Sequence, residues 1–150
     1  MPVRDELGPG EIMSEESRNV ALLEHAYRRW SETRGASVDD WLAICAERMS
    51  FGSLAHGAAP TPYLTAYRSR DELRGYFEGI SRDWEMMEYV VDHFVAQRDR
   101  VVMLGRCAWR YRKTDKVVWT PKCDSWRFAD GKAVEFFEFY DTAQVLAAAA

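Results

Sequence analysis

An α+β domain is predicted by three features of the sequence. Apolar residues recur at helical spacing in the first half of the chain and alternate with period two from Met86 onward. Asp130-Gly131 separates two strand-like runs, which is the strongest short-range signal of a β-hairpin. Helices followed by a meander of strands predict a curved, mainly antiparallel sheet with the helices packed on one face.

Length and composition predict one folded domain. The chain has 150 residues, of which 47% are hydrophobic and 13% aromatic, so a full core is expected and global disorder is excluded. Residues 1–13 are polar and contain Gly8-Pro9-Gly10. We therefore predict a flexible tail over 1–13 and a single domain over 14–150.

Charge and cysteine usage exclude several classes of partner. The net charge of -4, without a run of basic residues, predicts no binding to nucleic acid. No apolar leader or membrane-spanning run is visible, so we expect no membrane partner. The three cysteines are odd in number and lack ligand spacing, which predicts no metal site and a reducing, cytoplasmic location.

Three helices are predicted in the first half of the chain. Ser14 is a candidate N-cap for a helix over about 15–33, whose apolar stripe places Tyr27 toward the core. Capping boxes that begin at Ser37 and Ser69 predict the second helix, over 37–46, and the third, over 70–84.

Five strands are predicted around these helices. A short strand at 48–54 precedes a long loop over 55–68, and loops of that length inside compact domains are often functional. The period-two segment then predicts a four-strand meander with strands at 87–97, 101–113, 117–128 and 132–141.

Asp124 is the residue that most needs an explanation, because a carboxylate on an apolar strand must be paired, protonated or used in chemistry. Strand alternation places Lys122 and Trp126 on the same face as Asp124. On the next strand it groups Phe136, Glu138 and Tyr140 on one face, opposite Phe137 and Phe139. For strand 101–113 the alternation leaves open whether Arg106 and Ala108 or Cys107 and Trp109 face inward.

The order of elements and the ending D-x-W-R-F-x-D-G-K-x-V-x-x-x-E-x-Y-D-T resemble the NTF2-like superfamily, particularly SnoaL-like polyketide cyclases and ketosteroid isomerases. The resemblance covers roughly residues 15 to 146. It implies a cone-shaped α+β barrel with one deep pocket and a homodimer formed sheet to sheet. Phe137 and Phe139 would then form part of an apolar outer surface.

The resemblance also implies roles for individual residues. Asp124 corresponds to the oxyanion-hole acid of the isomerases and to the acid/base aspartate of the cyclases, and Tyr27 to the tyrosine that shares the oxyanion hole. Tyr140 corresponds to a pocket aromatic residue. In ketosteroid isomerase, which is a known case of this physics, an apolar site keeps such an acid neutral. In Asp124 the charge state would depend on whether Arg106 or Lys122 lies close enough to keep it ionised.

The sequence departs from these relatives at two places. Ser53 lies near the position of the isomerase base, and no carboxylate occurs between Phe51 and Pro62. His56, in the loop that follows, is a candidate replacement base. Arg106 and Glu138 resemble an arginine and an aspartate of limonene epoxide hydrolases, and we expect them to form a catalytic or a structural pair. The limonene epoxide hydrolases have a second aspartate beside this arginine and aspartate, and Ala108 occupies its position in this chain.

Several aromatic residues are candidates for a ligand cage as well as for the core, and five rings around one cavity would suit a flat apolar ligand. His25 is expected to be exposed on the first helix, and His93 to be structural or at the dimer face. The candidate cage consists of Trp30, Phe77, Trp84, Trp126 and Phe136.

These residues predict an enzyme that needs no cofactor and transfers protons on a small hydrophobic carbonyl or polycyclic compound, as an isomerase, cyclase or dehydratase. Asp124 and Tyr27 would carry the reaction, with Glu138 and Arg106 as an auxiliary pair. The alternative is a non-catalytic module that binds a small ligand or mediates dimerisation. The missing base favours the alternative, whereas the presence of Tyr27 and Asp124 favours the enzyme.

Overall fold

The computed structural model describes residues 13–150 and confirms the predicted α+β fold. The predicted tail over 1–13 lies outside the described residues, apart from Met13. In chain order the elements are α1 (Glu15–Glu32), α2 (Val38–Ile44), β1 (Cys45–Ser53), β2 (Tyr67–Ser69), α3 (Leu73–Asp83), β3 (Trp84–Gln97), β4 (Arg100–Tyr111), β5 (Val117–Ala129), β6 (Lys132–Phe139) and α4 (Thr142–Ala149).

The six strands form one curved, open sheet in the order β2-β1-β6-β5-β4-β3. β1 and β6 run parallel, and the other neighbours run antiparallel. The predicted four-strand meander, which corresponds to β3 to β6, is therefore confirmed. Its last turn has positive φ at Asp130 (51°) and Gly131 (76°), as a tight hairpin of this hand requires.

Local hydrogen bonds explain where the helices begin. Ser14 caps α1 by accepting from the backbone N–H of Ser17 at 3.1 Å. Before α3, the Ser69 hydroxyl accepts from the Glu72 N–H at 3.2 Å. The predicted capping interaction therefore forms, but it lies just ahead of the helix, which begins at Leu73. The prediction for Ser37 was wrong in detail, because its side chain makes no capping hydrogen bond.

Two elements were not predicted from the sequence. β2 comprises only three residues at the end of the predicted loop, Tyr67–Ser69, and pairs with β1. α4 comprises Thr142–Ala149 and includes three of the four terminal alanines. Alanine has the highest helix propensity and the Asp141 side chain accepts from the Gln144 N–H at 3.1 Å, so the signal for this helix was present.

The helices enclose the concave side of the sheet. α1 packs against β3 and β4, α3 against β3, and α4 against β5 and β4. Val145, Ala148 and Ala149 of α4 are buried, so the terminal helix closes part of the interior. Among residues 13–150, no helix is both long and apolar enough to cross a membrane.

The opposite face of the sheet exposes large apolar side chains. Trp119 on β5 is 61% exposed, and Phe139 on β6 is 44% exposed and contacts the ring of Phe137 at 4.8 Å between centroids. Leu104 and Val117 are also exposed. The predicted outward orientation of Phe139 is therefore confirmed, and an apolar surface lies uncovered on this single chain.

Two glycines of α3 form a matched pair for testing how the loop before α3 packs on it. A Cβ on Gly79 would lie 2.2 Å from the Tyr63 ring, whereas a Cβ on Gly75 would lie 3.8 Å from Tyr67. We expect Gly79→Ala to lower the free energy of unfolding by about 1–3 kcal/mol through overpacking. Gly75→Ala should raise it by about 0.5–1 kcal/mol through helix propensity. Urea unfolding measures both, and a shift of the same sign in the two variants would contradict this packing.

Candidate active site

An interior cavity of about 110 Å³ lies between the helices and the concave face of the sheet. The candidate cage residues all line it, and Tyr140 lines it as well. Rings from α1, α2, β5 and β6 contact one another around it, as in the stacked pair Trp41 and Trp126, whose centroids lie 5.5 Å apart. Half of the lining residues are aromatic, and the charged residues that line the cavity form one cluster.

Tyr27 and Asp124 meet in this cavity, as the sequence predicted. The Tyr27 hydroxyl donates to Asp124 Oδ2 at 2.6 Å and accepts from Trp126 Nε1 at 2.9 Å. The Tyr89 hydroxyl makes a longer contact of 3.4 Å with the same carboxylate oxygen. The single proton of Tyr27 is therefore directed at Asp124, and the indole N–H fixes that orientation.

Lys122 is the cation of the site. Its ammonium contacts Asp124 Oδ1 directly and lies 3.2 Å from Glu138 Oε1. Its side chain is only 10% exposed. Burial alone would lower the pKa of Lys122, but Asp124 and Glu138 offset that effect, and its pKa lies above the ordinary value. Lys122 is therefore charged at neutral pH.

Glu138 forms the second half of the cluster. The Tyr76 hydroxyl, from α3, contacts Oε1 at 2.9 Å and Oε2 at 3.0 Å. Asp124 and Glu138 are register partners on β5 and β6, which places both carboxylates on the same face of the sheet. The result is a chain of contacts from Tyr27 through Asp124, Lys122 and Glu138 to Tyr76.

The tyrosines and the two cysteines of the cavity are held in their neutral forms. Burial raises the pKa of Tyr27 and Tyr89, and the Asp124 charge raises both further. Burial and the Glu138 charge raise the pKa of Tyr76 well above its ordinary range. Burial raises the pKa of the Cys107 thiol to about 11. These groups therefore act as hydrogen-bond donors and not as bases near neutral pH.

The expected pairing of Arg106 with Glu138 is wrong. Arg106 is 57% exposed on the outer face, where it binds Asp92 at 2.7 and 2.9 Å. The reason is strand alternation, because Met103 and Cys107 face inward on β4 and Arg106 pairs in register with outward-facing Pro121. Lys122, and not Arg106, is the cation that pairs with Glu138 and Asp124.

His56, the candidate replacement base, does not lie at the cavity. It is exposed and does not line the cavity, and its ring lies 6.2 Å from that of Phe137. Ser53, at the position of the missing base, is buried and shares a 2.6 Å hydrogen bond with the Tyr140 hydroxyl. His25 and His93 are both exposed, on α1 and on the outer face of β3.

Three polar residues of the site were not among the predicted site residues. Lys122 was already assigned to the Asp124 face by alternation, so that signal was available but was given too little weight. Tyr76 lies in the apolar stripe of α3 and looked like a core residue, because nothing in a single sequence places Glu138 beside it. Tyr89 follows a register irregularity in β3, which strand alternation cannot anticipate.

Structural comparison shows the same fold in proteins of low sequence identity. An NTF2-like protein of unknown function from Burkholderia pseudomallei has a TM-score of 0.79 at 21% identity, covering 92% of this chain and 99% of that chain. TerC, co-crystallised with polyporic acid, has a TM-score of 0.76 at 15% identity, covering 88% and 98%. A proposed SnoaL-like polyketide cyclase from Jannaschia sp. CCS1 has a TM-score of 0.72 at 18% identity, covering 94% and 99%.

Sequence comparison gives the family. No curated protein matches the chain at a significant level. The model of the SnoaL-like domain matches residues 23–136, which include the second half of α1 and most of the sheet, together with Tyr27, Lys122 and Asp124. The chain therefore belongs to the SnoaL-like domain family, within the NTF2-like fold.

Proposed function

We propose that the protein is an acid/base enzyme that needs no cofactor and acts on a small hydrophobic carbonyl compound, as an isomerase, cyclase or lyase. The observation that carries the proposal is the buried carboxylate of Asp124, which is 2% exposed and contacts Lys122 and Tyr27 inside an aromatic cavity. The SnoaL-like family and the polyketide cyclases among the similar structures support the same reaction class.

Asp124 is the proposed general base. The Lys122 ammonium and the Tyr27 hydroxyl hold its carboxylate in one position at the cavity, where a carboxylate oxygen can accept a proton from a substrate bound beside it. Asp124 takes a proton from the carbon beside the substrate carbonyl, and the electrons of that C–H bond form an enolate. The proton then returns to carbon at another position, or the enolate attacks a second carbonyl carbon, whose C=O π bond opens and whose oxygen takes the proton from Asp124.

Lys122 and Glu138 have auxiliary roles in this proposal. An ammonium group has three N–H donors, and two of them are directed at Asp124 and Glu138. The third N–H is available to the enolate oxygen. Tyr27 positions Asp124, because its proton is already donated to that carboxylate. Glu138 holds Lys122 in place, the role for which Arg106 was considered.

The cavity volume favours a small substrate over a polycyclic one. An apolar cavity of about 150 Å³ is sufficient to bind benzene. The cavity of about 110 Å³ is somewhat smaller than that, so it supports a ligand no larger than a single ring or a short branched chain. TerC was crystallised with polyporic acid, which supports binding of a small organic molecule in this fold.

A second candidate function is a non-catalytic module that binds a small ligand. The buried Ser53, hydrogen-bonded to Tyr140, favours it, because that position carries no base. The two candidates differ in one measurable respect, namely proton transfer.

Hydrogen exchange at carbon tests the proposal without knowledge of the natural substrate. We expect the protein to accelerate deuterium uptake next to the carbonyl of cyclohexanone or cyclopentanone in D₂O, detected by NMR. Asp124→Asn should reduce the acceleration by about 10²–10⁴-fold, since general base catalysis contributes that much. Tyr27→Phe should cause a smaller loss because it only positions the base.

The matched control is Asp92→Asn, which makes the same change on the outer face of the sheet, where Asp92 pairs with Arg106. It should exchange at the parent rate. If the parent protein is no faster than buffer, or if Asp124→Asn equals the parent, the catalytic proposal fails and the binding module replaces it.

We also propose that the protein forms a homodimer through the outer face of the sheet and resides in the cytosol. The exposed apolar residues of that face, led by Trp119, support the dimer. The three cysteines are free, which supports a reducing compartment.

Light scattering tests the dimer. We expect the parent protein to have twice the mass of one chain at micromolar concentration, and Trp119→Arg to shift it toward monomer by placing a charge in the apolar contact. His25→Arg, at an exposed position on α1, is the control and should leave the mass unchanged. A parent protein that is monomeric at that concentration would refute the dimer.

A further inference from the structure

The charges that line the cavity do not cancel. Lys122 carries one positive charge, and Asp124 and Glu138 carry one negative charge each when ionised. Among the described residues, no arginine, no histidine and no second lysine lines this cavity. The tyrosine hydroxyls and the cysteine thiols that line it stay neutral, because burial raises the pKa of each. With both carboxylates ionised, the cluster has a formal charge of minus one.

An unbalanced charge is costly at this depth. The side chains of Lys122, Asp124 and Glu138 are 10%, 2% and 4% exposed, so water contributes little solvation. Buried charges are normally paired, and a carboxylate left without a counter-ion loses most of its stabilisation. A ligand with one positive charge would bring the net formal charge of the cavity to zero.

The carboxylates still have acceptor capacity for such a ligand. Asp124 Oδ1 accepts from Lys122 alone, and Glu138 Oε2 accepts from Tyr76 alone, among the contacts of the described residues. Each carboxylate oxygen has two lone-pair sites. One site on each carboxylate is therefore open to an N–H donor from the cavity.

The aromatic walls suit a cation as well. Half of the residues that line the cavity are aromatic, and ring faces attract cations that lie within about 6 Å. The Lys122 ammonium already uses this interaction, at 5.8 Å from the Phe136 centroid and 5.9 Å from that of Tyr140. Apolar rings beside a net negative cluster are a combination that favours an apolar amine over a neutral or anionic ligand.

We infer that the ligand of this cavity is a small amine in its protonated form, with an apolar part no larger than a single ring. The ammonium lies against Asp124 and Glu138, and the apolar part packs among the aromatic rings. This inference rests on the same cavity as the proposed function and narrows its substrate to an amine-bearing compound, but it does not depend on turnover.

Two probes of nearly equal shape test it, namely cyclopentylammonium and cyclopentanol, titrated into the protein at neutral pH and followed by NMR. We expect the cation to bind about tenfold more tightly than the alcohol.

Glu138→Gln removes one negative charge but keeps an acceptor for Tyr76, and it should abolish the preference. Asp92→Asn removes a negative charge from the outer face and should retain it. If Glu138→Gln proves unfolded by circular dichroism, Asp124→Asn takes its place.

Equal affinity for the two probes, tighter binding of cyclopentanol, or no binding of the cation overturns the inference. So does a preference that survives in the charge-neutralised variant. The two proposals can fail separately. A cation preference in a protein without hydrogen exchange would refute only the catalytic role, and hydrogen exchange without a cation preference would refute only the ligand class.

Discussion

Lys122 lies between two buried carboxylates, and the rest of the site depends on that contact. Asp124 and Glu138 are paired in register on β5 and β6, so the sheet itself brings two like charges together. Such a cross-strand pair is unfavourable without a cation between its members. Lys122 precedes Asp124 by two residues and so points to the same face, where its ammonium contacts both carboxylates. The tyrosines from α1 and α3 then dock onto the carboxylates and join helices to sheet.

The charge of Lys122 is stable across the physiological range. Its pKa lies above the ordinary value, despite burial, because the two carboxylates favour the ammonium form. A raised folded-state pKa means that the folded protein holds this proton more tightly than the unfolded chain does. The contribution of Lys122 to stability is therefore complete at neutral pH, and it is lost only as the pH rises above the ordinary lysine range. Lys122 therefore keeps its positive charge between the two carboxylates at neutral pH.

The sequence predicted the parts of this site that follow from local periodicity. Strand alternation and the Asp-Gly turn correctly grouped Phe136, Glu138 and Tyr140, and helical spacing turned Tyr27 inward. The wrong or missing predictions concern residues whose inward or outward orientation depends on tertiary packing, which a single sequence does not determine. On β4 both faces carry apolar residues, so alternation left its inner face open. The resemblance alone suggested that Arg106 pairs with Glu138, whereas Arg106 pairs with Asp92 outside. Tyr76 was hidden in an apolar helix stripe, and its contact with Glu138 depends on how α3 crosses the sheet.

The most direct measurement of the central claim is a comparison of unfolding free energies in urea at neutral pH. It includes the parent protein, Lys122→Met, the double variant Asp124→Asn/Glu138→Gln, and the variant with all three changes. Removal of Lys122 alone leaves two buried carboxylates unpaired and should cost about 3–5 kcal/mol. The triple variant has no buried charge, so it should be more stable than Lys122→Met. If the triple variant instead loses the sum of the two separate costs, the three side chains are not coupled and the account is wrong.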